Sequence, residues 1–104
     1  MVLIGAPRII GGRKEDWIRG YCRGLKDALE TNGHYEELEE LYRKLLLSKK
    51  EYERLTEDAA RESAVLDVLM TYRSYIYLLK CSELAWSIVK KSIERCLRLF
   101  GCKT

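Results

Sequence analysis

Hydrophobic positions along this chain recur every three or four residues, the spacing that places side chains on one face of an α-helix. The clearest case is residues 59–80, a stretch without Gly, Pro or Asn. A helix that is apolar over most of its circumference is buried by neighbours on several sides, so we expect this to be the central helix of a small bundle. The main apolar face consists of Val65, Val68, Leu69, Tyr72, Ile76 and Leu79, and Leu66, Met70, Tyr77 and Leu78 widen it.

The same spacing predicts a helix at each end of the chain. The first runs from about residue 14 to 30 and is stopped by Thr31-Asn32-Gly33, since Asn and Gly tolerate the left-handed conformation that ends helices. The last covers residues 83–100, with Ser82 as its predicted N-cap and Gly101 as its stop. Both have one apolar face and a charged outer face.

The region between residues 34 and 55 admits two interpretations. A helix begins near His34, with an acidic first turn that suits the positive end of the helix dipole. Ser48 and Glu51 have the spacing of a capping box, which predicts a new helix there. The apolar rhythm nevertheless continues to Leu55, which predicts one long helix instead. Thr56-Glu57-Asp58 is the stronger start signal, and the central helix is expected to begin there.

The opening residues 1–12 form a separate apolar arm around Gly5-Ala6-Pro7, closed by Gly11-Gly12. Exposed, its large apolar residues would promote aggregation, so we expect the arm to lie on its own bundle or, alternatively, to dock into a neighbouring subunit. The candidate interface residues are Val2, Leu3, Ile4, Ile9, Ile10 and Leu47, the last of which lies off the main apolar face of its helix. The predicted fold class is all-α: a compact antiparallel bundle of four to five helices, residues 13–104, with a short extended N-terminal arm.

Composition supports a single globular domain and indicates its environment. The chain has 104 residues, 47% hydrophobic and 34% charged. No apolar run reaches the ~18 residues of a membrane span, and the opening stretch lacks the basic lead of a signal peptide, so a cytoplasmic location without membrane partners is expected. Gln is absent and Asn occurs once, which together with many charged residues favours an origin in a hyperthermophile, an archaeon or its virus.

The four cysteines leave disulfide formation open. Cys22, Cys81, Cys96 and Cys102 form no CxxC pair, and the single His34 is remote from them in sequence, so neither a metal site nor a cofactor is expected. Pairing of Cys81 with Cys96 is disfavoured, because a helix rising 1.5 Å per residue separates them by roughly 20 Å.

Charge is distributed unevenly, with basic ends and an acidic middle. Residues 1–26 hold six Lys or Arg against two acids, residues 27–67 hold six against twelve, and residues 68–104 hold seven against two. The first basic stripe is Arg19, Arg23 and Lys26, and the last basic stripe is Lys90, Lys91, Arg95 and Arg98. If the terminal helices are neighbours, the stripes join in one surface suited to phosphate backbones. The alternative is a solvated face whose bases pair with acids of the second helix.

No catalytic constellation is present in the sequence. Glu36-Glu37-x-x-Glu40 is similar to the motif that opens the metal site of helical nucleotide pyrophosphohydrolases, but the second acidic pair that such a site requires is missing. The run from Tyr72 to Tyr77 interleaves tyrosines with Arg73, and core tyrosines are the favoured interpretation, as is a core position for Trp17 and Trp86.

These observations predict a non-catalytic helical subunit. The favoured hypothesis is a component of a nucleoprotein assembly that binds DNA or RNA backbone through a basic face without reading sequence. The alternative is a protein–protein interaction module or homo-oligomer, which would use the apolar arm and the excess apolar surface of Leu45-Leu46-Leu47 and of Leu66 and Met70.

Overall fold

A computed structural model describes residues 14–47 and 56–102. Over these ranges the chain forms four helices and no strand: α1 (Lys14–Glu30), α2 (Tyr35–Leu47), α3 (Thr56–Leu79) and α4 (Ser82–Leu99). The all-α prediction is confirmed, as are the starts of α1 and α3. Residues 1–12, the predicted arm with Val2, Leu3, Ile4, Ile9 and Ile10, lie outside the described residues, as does any continuation of α2. No helix of the described ranges is long and apolar enough to cross a membrane.

Helices α1 and α3 form the closest pair, and two glycines allow it. A Cβ atom at Gly20 would overlap the backbone carbonyl of Glu57, and one at Gly24 would overlap the backbone carbonyl oxygen of Arg61 and lie 2.6 Å from the Cβ of Ala64. The contacts advance together along both helices, so α1 and α3 run parallel. The expected antiparallel packing does not extend to this pair, because α2 returns the chain to the end at which α1 began.

Helices that follow one another in the chain do run antiparallel. The ring centres of Tyr35, at the start of α2, and Tyr72 are 6.0 Å apart. Further along α2, Leu41 lines the same hollow as Arg61, which is close to the start of α3. On α4, the Trp86 ring lies 5.4 Å from Tyr72. The chain therefore passes up, down, up and down through the bundle.

The core is centred on α3, as the apolar pattern predicts, but only as far as Tyr72. The Tyr72 phenol donates a 2.8 Å hydrogen bond to the carbonyl of Gly33, which lies in the α1–α2 turn. The last seven residues of α3, about 10 Å of helix at 1.5 Å per residue, therefore extend past the ends of α1 and α2. The prediction that this helix is buried along its whole length is wrong for its end: Tyr77 is 75% exposed and Leu78 is 62% exposed.

Left-handed residues follow three helices: Asn32 and Gly33 after α1, Lys80 after α3 and Gly101 after α4. Asn32 and Gly33 have φ of 52° and 81° after α1, as the Thr31-Asn32-Gly33 signal predicts. Lys80, with φ of 57°, ends α3 at a position where glycine is the usual residue. The N-cap of α4 is Cys81, and its side chain makes no capping hydrogen bond; the expectation that Ser82 caps this helix is wrong, since Ser82 is already its first residue.

A disulfide joins the first helix to the end of the last. Gly101 has φ of 65°, and the N–H groups of Gly101 and Cys102 donate to the carbonyls of Arg98 and Leu97 at 3.1 and 2.9 Å. This is the hydrogen-bond pattern of a Schellman motif, which folds the chain back over its own helix. The turn brings Cys102 to Cys22, with Cα atoms 5.9 Å apart.

Candidate functional surfaces

Two members of the first basic stripe are paired with a carboxylate of α3. The guanidinium of Arg23 lies 3.2 Å and that of Arg19 3.8 Å from the carboxylate of Glu57, and Arg19 also lies 3.4 Å from Asp16. The acidic partner is thus in the first turn of α3, not in α2 as the solvated-face alternative proposes. Both arginine side chains stay more than half exposed, so these pairs offset charge without contributing much stability. The third member, Lys26, is partly buried.

The last basic stripe makes no such pair with the part of the chain that the structure describes. Its four side chains are exposed on α4, and none forms an ion pair with any residue of 14–47 or 56–102. The stripe spans nine residues, from Lys90 to Arg98, which is about 12 Å along the helix. It therefore retains a concentrated positive charge.

The terminal helices are neighbours, which is the condition for a joint basic surface. The disulfide and the edge-on contact between Tyr21 and Phe100, 5.8 Å between ring centres, place α1 against the end of α4. However, the ion pairs with Glu57 hold Arg19 and Arg23 toward α3. No contact within the described ranges joins the two stripes, and the single basic surface stays a prediction.

A second surface lies at the projecting end of α3. It is an open, mainly apolar groove of about 1020 Å³ between the start of α2 and the outer face of α3. Its position follows from the unequal helix lengths, because α2 begins level with Tyr72 and leaves the next two turns of α3 uncovered. The lining residues are Tyr35, Met70, Arg73, Ser74, Ile76, Tyr77 and Leu78.

The prediction that the tyrosines between Tyr72 and Tyr77 belong to the core is confirmed for Tyr72 and wrong for Tyr77. Tyr72 is 2% exposed and belongs to the core, whereas Tyr77 belongs to the groove. The core interpretation of Trp17 is confirmed at 4% exposed, and Trp86 is partly buried against Tyr72. Leu66 is partly buried, and Met70 lines the groove.

Charged side chains of α2 and α3 influence the phenol of Tyr35 at the edge of the groove. Burial is the main cause that raises the pKa of the Tyr35 phenol; the positive charge of Arg73 lowers this pKa, and the negative charge of Glu39 raises it. Arg73 is one of the residues that line the groove, whereas Glu39 is not. Lys80 adds a second positive charge at the α3 wall, with its ammonium 5.2 Å from the ring centre of Tyr77.

A smaller hollow of about 360 Å³ lies between α1, α2 and α3, and an ion pair forms part of its lining. Asp27, Glu30 and Glu37 contribute carboxylates to it, and the guanidinium of Arg61 lies 2.6 Å from Asp27. The guanidinium supplies the positive charge that these acids favour. Among the residues that the structure describes, no group of three or more His, Cys, Asp or Glu side chains is arranged to hold a metal ion.

The thiols outside the disulfide differ in accessibility. Cys81 is exposed in the α3–α4 turn, and Cys96 is buried. Burial raises the pKa of the Cys96 thiol, against the opposing effect of Arg95. Cys81 is therefore the thiol that solution reagents reach.

Comparison with protein families, curated proteins and solved structures finds no significant match to this chain. Functional inference therefore depends on the two surfaces themselves, the apolar groove and the last basic stripe.

Proposed function

We propose that this protein is a non-catalytic interaction module that holds a protein segment in the groove at the end of α3. The observation that carries the proposal is the exposure of Tyr77 and Leu78 beside an open apolar channel. Contiguous apolar patches on monomeric proteins are rare because they promote aggregation, and those that exist commonly mark binding sites. Binding sites are usually lined by apolar side chains, with a few polar or charged groups that fix the orientation of the ligand.

The shape of the groove favours a helical or extended segment. Helix-in-groove recognition places apolar anchors of one helix between two others. Here Met70 and Ile76 provide the apolar lining, Tyr77 an amphipathic edge, and Arg73 a donor for a carboxylate of the bound segment. Tyrosine and arginine are the residue types that contribute most often to binding energy at protein interfaces.

Site-specific photo-crosslinking tests this proposal. A photoreactive residue at position 78, in the groove, is compared with one at position 99, where Leu99 is 74% exposed on α4 but outside the groove. After irradiation in cells, we expect a discrete adduct from position 78 and none from position 99, with its composition read by mass spectrometry. No adduct at 78, or equal adducts at both positions, would refute a binding role for the groove.

A second function is supported by the last basic stripe. We propose that it binds the backbone of DNA or RNA without sequence readout, as in a small subunit of a nucleoprotein assembly. The supporting observation is the exposure of Lys90, Lys91, Arg95 and Arg98 without ion pairs to the described residues. With about four phosphate contacts, affinity for duplex DNA should fall about 100-fold between 50 and 200 mM salt.

Fluorescence anisotropy with a labelled duplex and a labelled single strand measures this dependence. Reversing Lys91 and Arg95 to Glu should abolish low-salt binding, whereas Arg19→Glu, at a base already paired with Glu57, should change it far less. Absence of binding at 50 mM salt, or equal loss from both substitutions, would eliminate this function.

A further inference from the structure

The exposed large apolar side chains of the described residues are concentrated at one end of the bundle. Residues 77–84, which we call the hairpin tip, join α3 to α4, and all eight are exposed. Four of them are large and apolar, with exposed fractions between 37% and 75%: Tyr77, Leu78, Leu79 and Leu84. Leu79 and Leu84 do not line the groove, so the apolar surface of the tip extends beyond it.

The hairpin tip projects from the rest of the bundle. The turn at Lys80 lies about 12 Å beyond Tyr72, at 1.5 Å per residue, and α2 begins level with Tyr72. On α4, burial begins at Ala85, directly after the tip. The tip is thus a convex apolar end. A folded protein would need a matching cavity to cover it, whereas the fluid interface of a lipid bilayer adapts to its shape.

Basic side chains accompany the apolar tip on both helices. Residues 73–91 contain four bases and one acid, Glu83. Lys80 belongs to the tip itself, while Arg73 lies about 10 Å behind it on α3 and Lys90 about 12 Å behind it on α4. These side chains are exposed, as is Lys91. Apolar side chains in front of a set of bases match the layers of an anionic membrane surface, where acyl chains lie beneath negative headgroups.

We propose that the hairpin tip binds the surface of an anionic lipid bilayer by inserting its apolar side chains at the boundary between headgroups and acyl chains. This inference goes beyond the functions proposed for the groove and the last basic stripe. The sequence-based expectation of no membrane partner rests on spanning segments, and a contact with one leaflet requires none.

The acidic start of α2 sets the depth of insertion. Glu36 and Glu37 directly follow Tyr35, which is level with Tyr72 and therefore about 12 Å behind the turn at Lys80. Surface-bound amphipathic helices typically enter the boundary by about 5–10 Å, and this depth leaves both carboxylates in water. Deeper entry would bring them to headgroups of the same charge.

Vesicle co-sedimentation tests the proposal with the full chain. Vesicles of phosphatidylglycerol and phosphatidylcholine in equal parts are compared with vesicles of phosphatidylcholine alone, and affinity should be about tenfold or more higher for the anionic vesicles. Leu84→Asp should weaken this binding about tenfold, because it places a negative charge among the inserting side chains. Leu99→Asp is the matched control, since Leu99 is 74% exposed on the same helix but about 25 Å from Ser82, and it should bind as the wild type does.

A fluorophore at the tip locates the contact without an apolar-to-acid substitution. Cys81 is an exposed thiol within the tip, whereas Cys96 is buried. A polarity-sensitive dye on Cys81 should brighten and shift to shorter wavelength when anionic vesicles are added. The same dye in a variant with Cys81→Ser and Leu99→Cys should respond little. Circular dichroism verifies that each variant is folded.

The outcomes separate this inference from the proposed role of the groove. Binding that requires anionic lipid, weakens in Leu84→Asp and moves the dye on Cys81 into an apolar environment supports it. Wild-type protein that leaves anionic vesicles unbound, or binding that Leu84→Asp does not weaken, overturns it. A protein adduct from position 78 without any vesicle binding also overturns it, while keeping the role of the groove.

Discussion

The phenol of Tyr21 donates a 2.6 Å hydrogen bond to the carboxyl group of Asp67 inside the contact between α1 and α3. Both side chains are buried, and the Tyr21 ring also stacks on Trp17 with 4.7 Å between ring centres. Tyr21→Phe keeps the ring but removes one donor from a buried carboxyl group. We expect it to lower the free energy of unfolding by about 1–3 kcal/mol, measured by urea denaturation.

Tyr77→Phe is the matched control for this substitution, because the Tyr77 phenol is on the surface. Its effect should stay within about 0.5 kcal/mol. Equal effects of the two substitutions would show that the Tyr21 hydroxyl contributes nothing specific to the α1–α3 contact.

The second prediction concerns the glycines of α1. In an exposed helix, Gly→Ala is stabilising by about 1 kcal/mol, but Gly24→Ala should destabilise by about 1–3 kcal/mol because its new methyl group would overlap both the backbone carbonyl oxygen of Arg61 and the Ala64 side chain. Adding Ala64→Gly should recover part of this loss. Gly20→Ala should also destabilise, without recovery from Ala64→Gly, since it meets backbone of Glu57. A stabilising Gly24→Ala would contradict the close packing of α1 on α3.

The sequence predicts those features of the fold that have a local cause. The ends of α1 and α4 were predictable, because Asn32-Gly33 and Gly101 signal helix stops through their own backbone preferences. Gly20 and Gly24 carried a signal that the apolar pattern did not use: small residues four apart on one helix face permit close approach of a second helix. That signal does not identify the partner helix.

The candidate surfaces depend on tertiary relationships that no local pattern contains. The pairing of Arg19 and Arg23 with Glu57 follows from the parallel alignment of α1 with α3. Likewise, the apolar pattern of α3 identifies Tyr72 and Tyr77 as members of the same helix, but their different burial depends on where α2 begins. The prediction of exposed bases on α4 needed only the helical period, and those side chains are indeed exposed.

The third prediction concerns the Cys22–Cys102 disulfide, which joins two residues that are 80 positions apart in the sequence. In the chain-entropy treatment, a loop of this length stabilises the folded state by about 4 kcal/mol. Cys102→Ser should therefore lower the melting temperature strongly, and a reducing agent should lower that of the wild-type protein but not of the variant. Cys81→Ser is the control, and it should match the wild type in both conditions. Reductant sensitivity that persists in Cys102→Ser would assign the effect to another bond.

The fourth prediction is a stabilising substitution. Lys80 adopts φ of 57°, where a side chain costs about 1 kcal/mol relative to glycine. Lys80→Gly removes this strain and also removes the contact of the ammonium with the exposed Tyr77 ring, which is worth about 0.5 kcal/mol. We expect a net gain of about 0.5 kcal/mol in the free energy of unfolding. Lys80→Ala, which keeps the strain and loses the contact, should be destabilising by comparison.

The fifth prediction concerns alkaline pH. Burial raises the pKa of the Tyr72 phenol above its ordinary value of 10.0, so the folded state holds this proton more tightly than the unfolded state. The associated stability is fully present below pH 10 and is lost as pH rises through the folded-state pKa, because the unfolded chain ionises first. Urea midpoints should fall between pH 9 and 11, a range set about the ordinary tyrosine value.

Tyr72→Phe should be less stable than the wild type at pH 8 by about 1 kcal/mol, since it loses the hydrogen bond to Gly33. It should also lose less stability than the wild type between pH 9 and 11, because the substituted ring cannot ionise. An identical alkaline decline in both proteins would assign that decline to other groups, among them Tyr35, whose pKa burial also raises.

The bond between Cys22 and Cys102 makes the intervening polypeptide a covalent ring. A single proteolytic cut in the exposed turn at Lys80 and Cys81 would open that ring without dividing the molecule, and the two fragments would migrate together until a reductant is added. New chain termini introduced at this turn would likewise leave every helix tethered, so the turn is the natural place to reopen the chain by circular permutation.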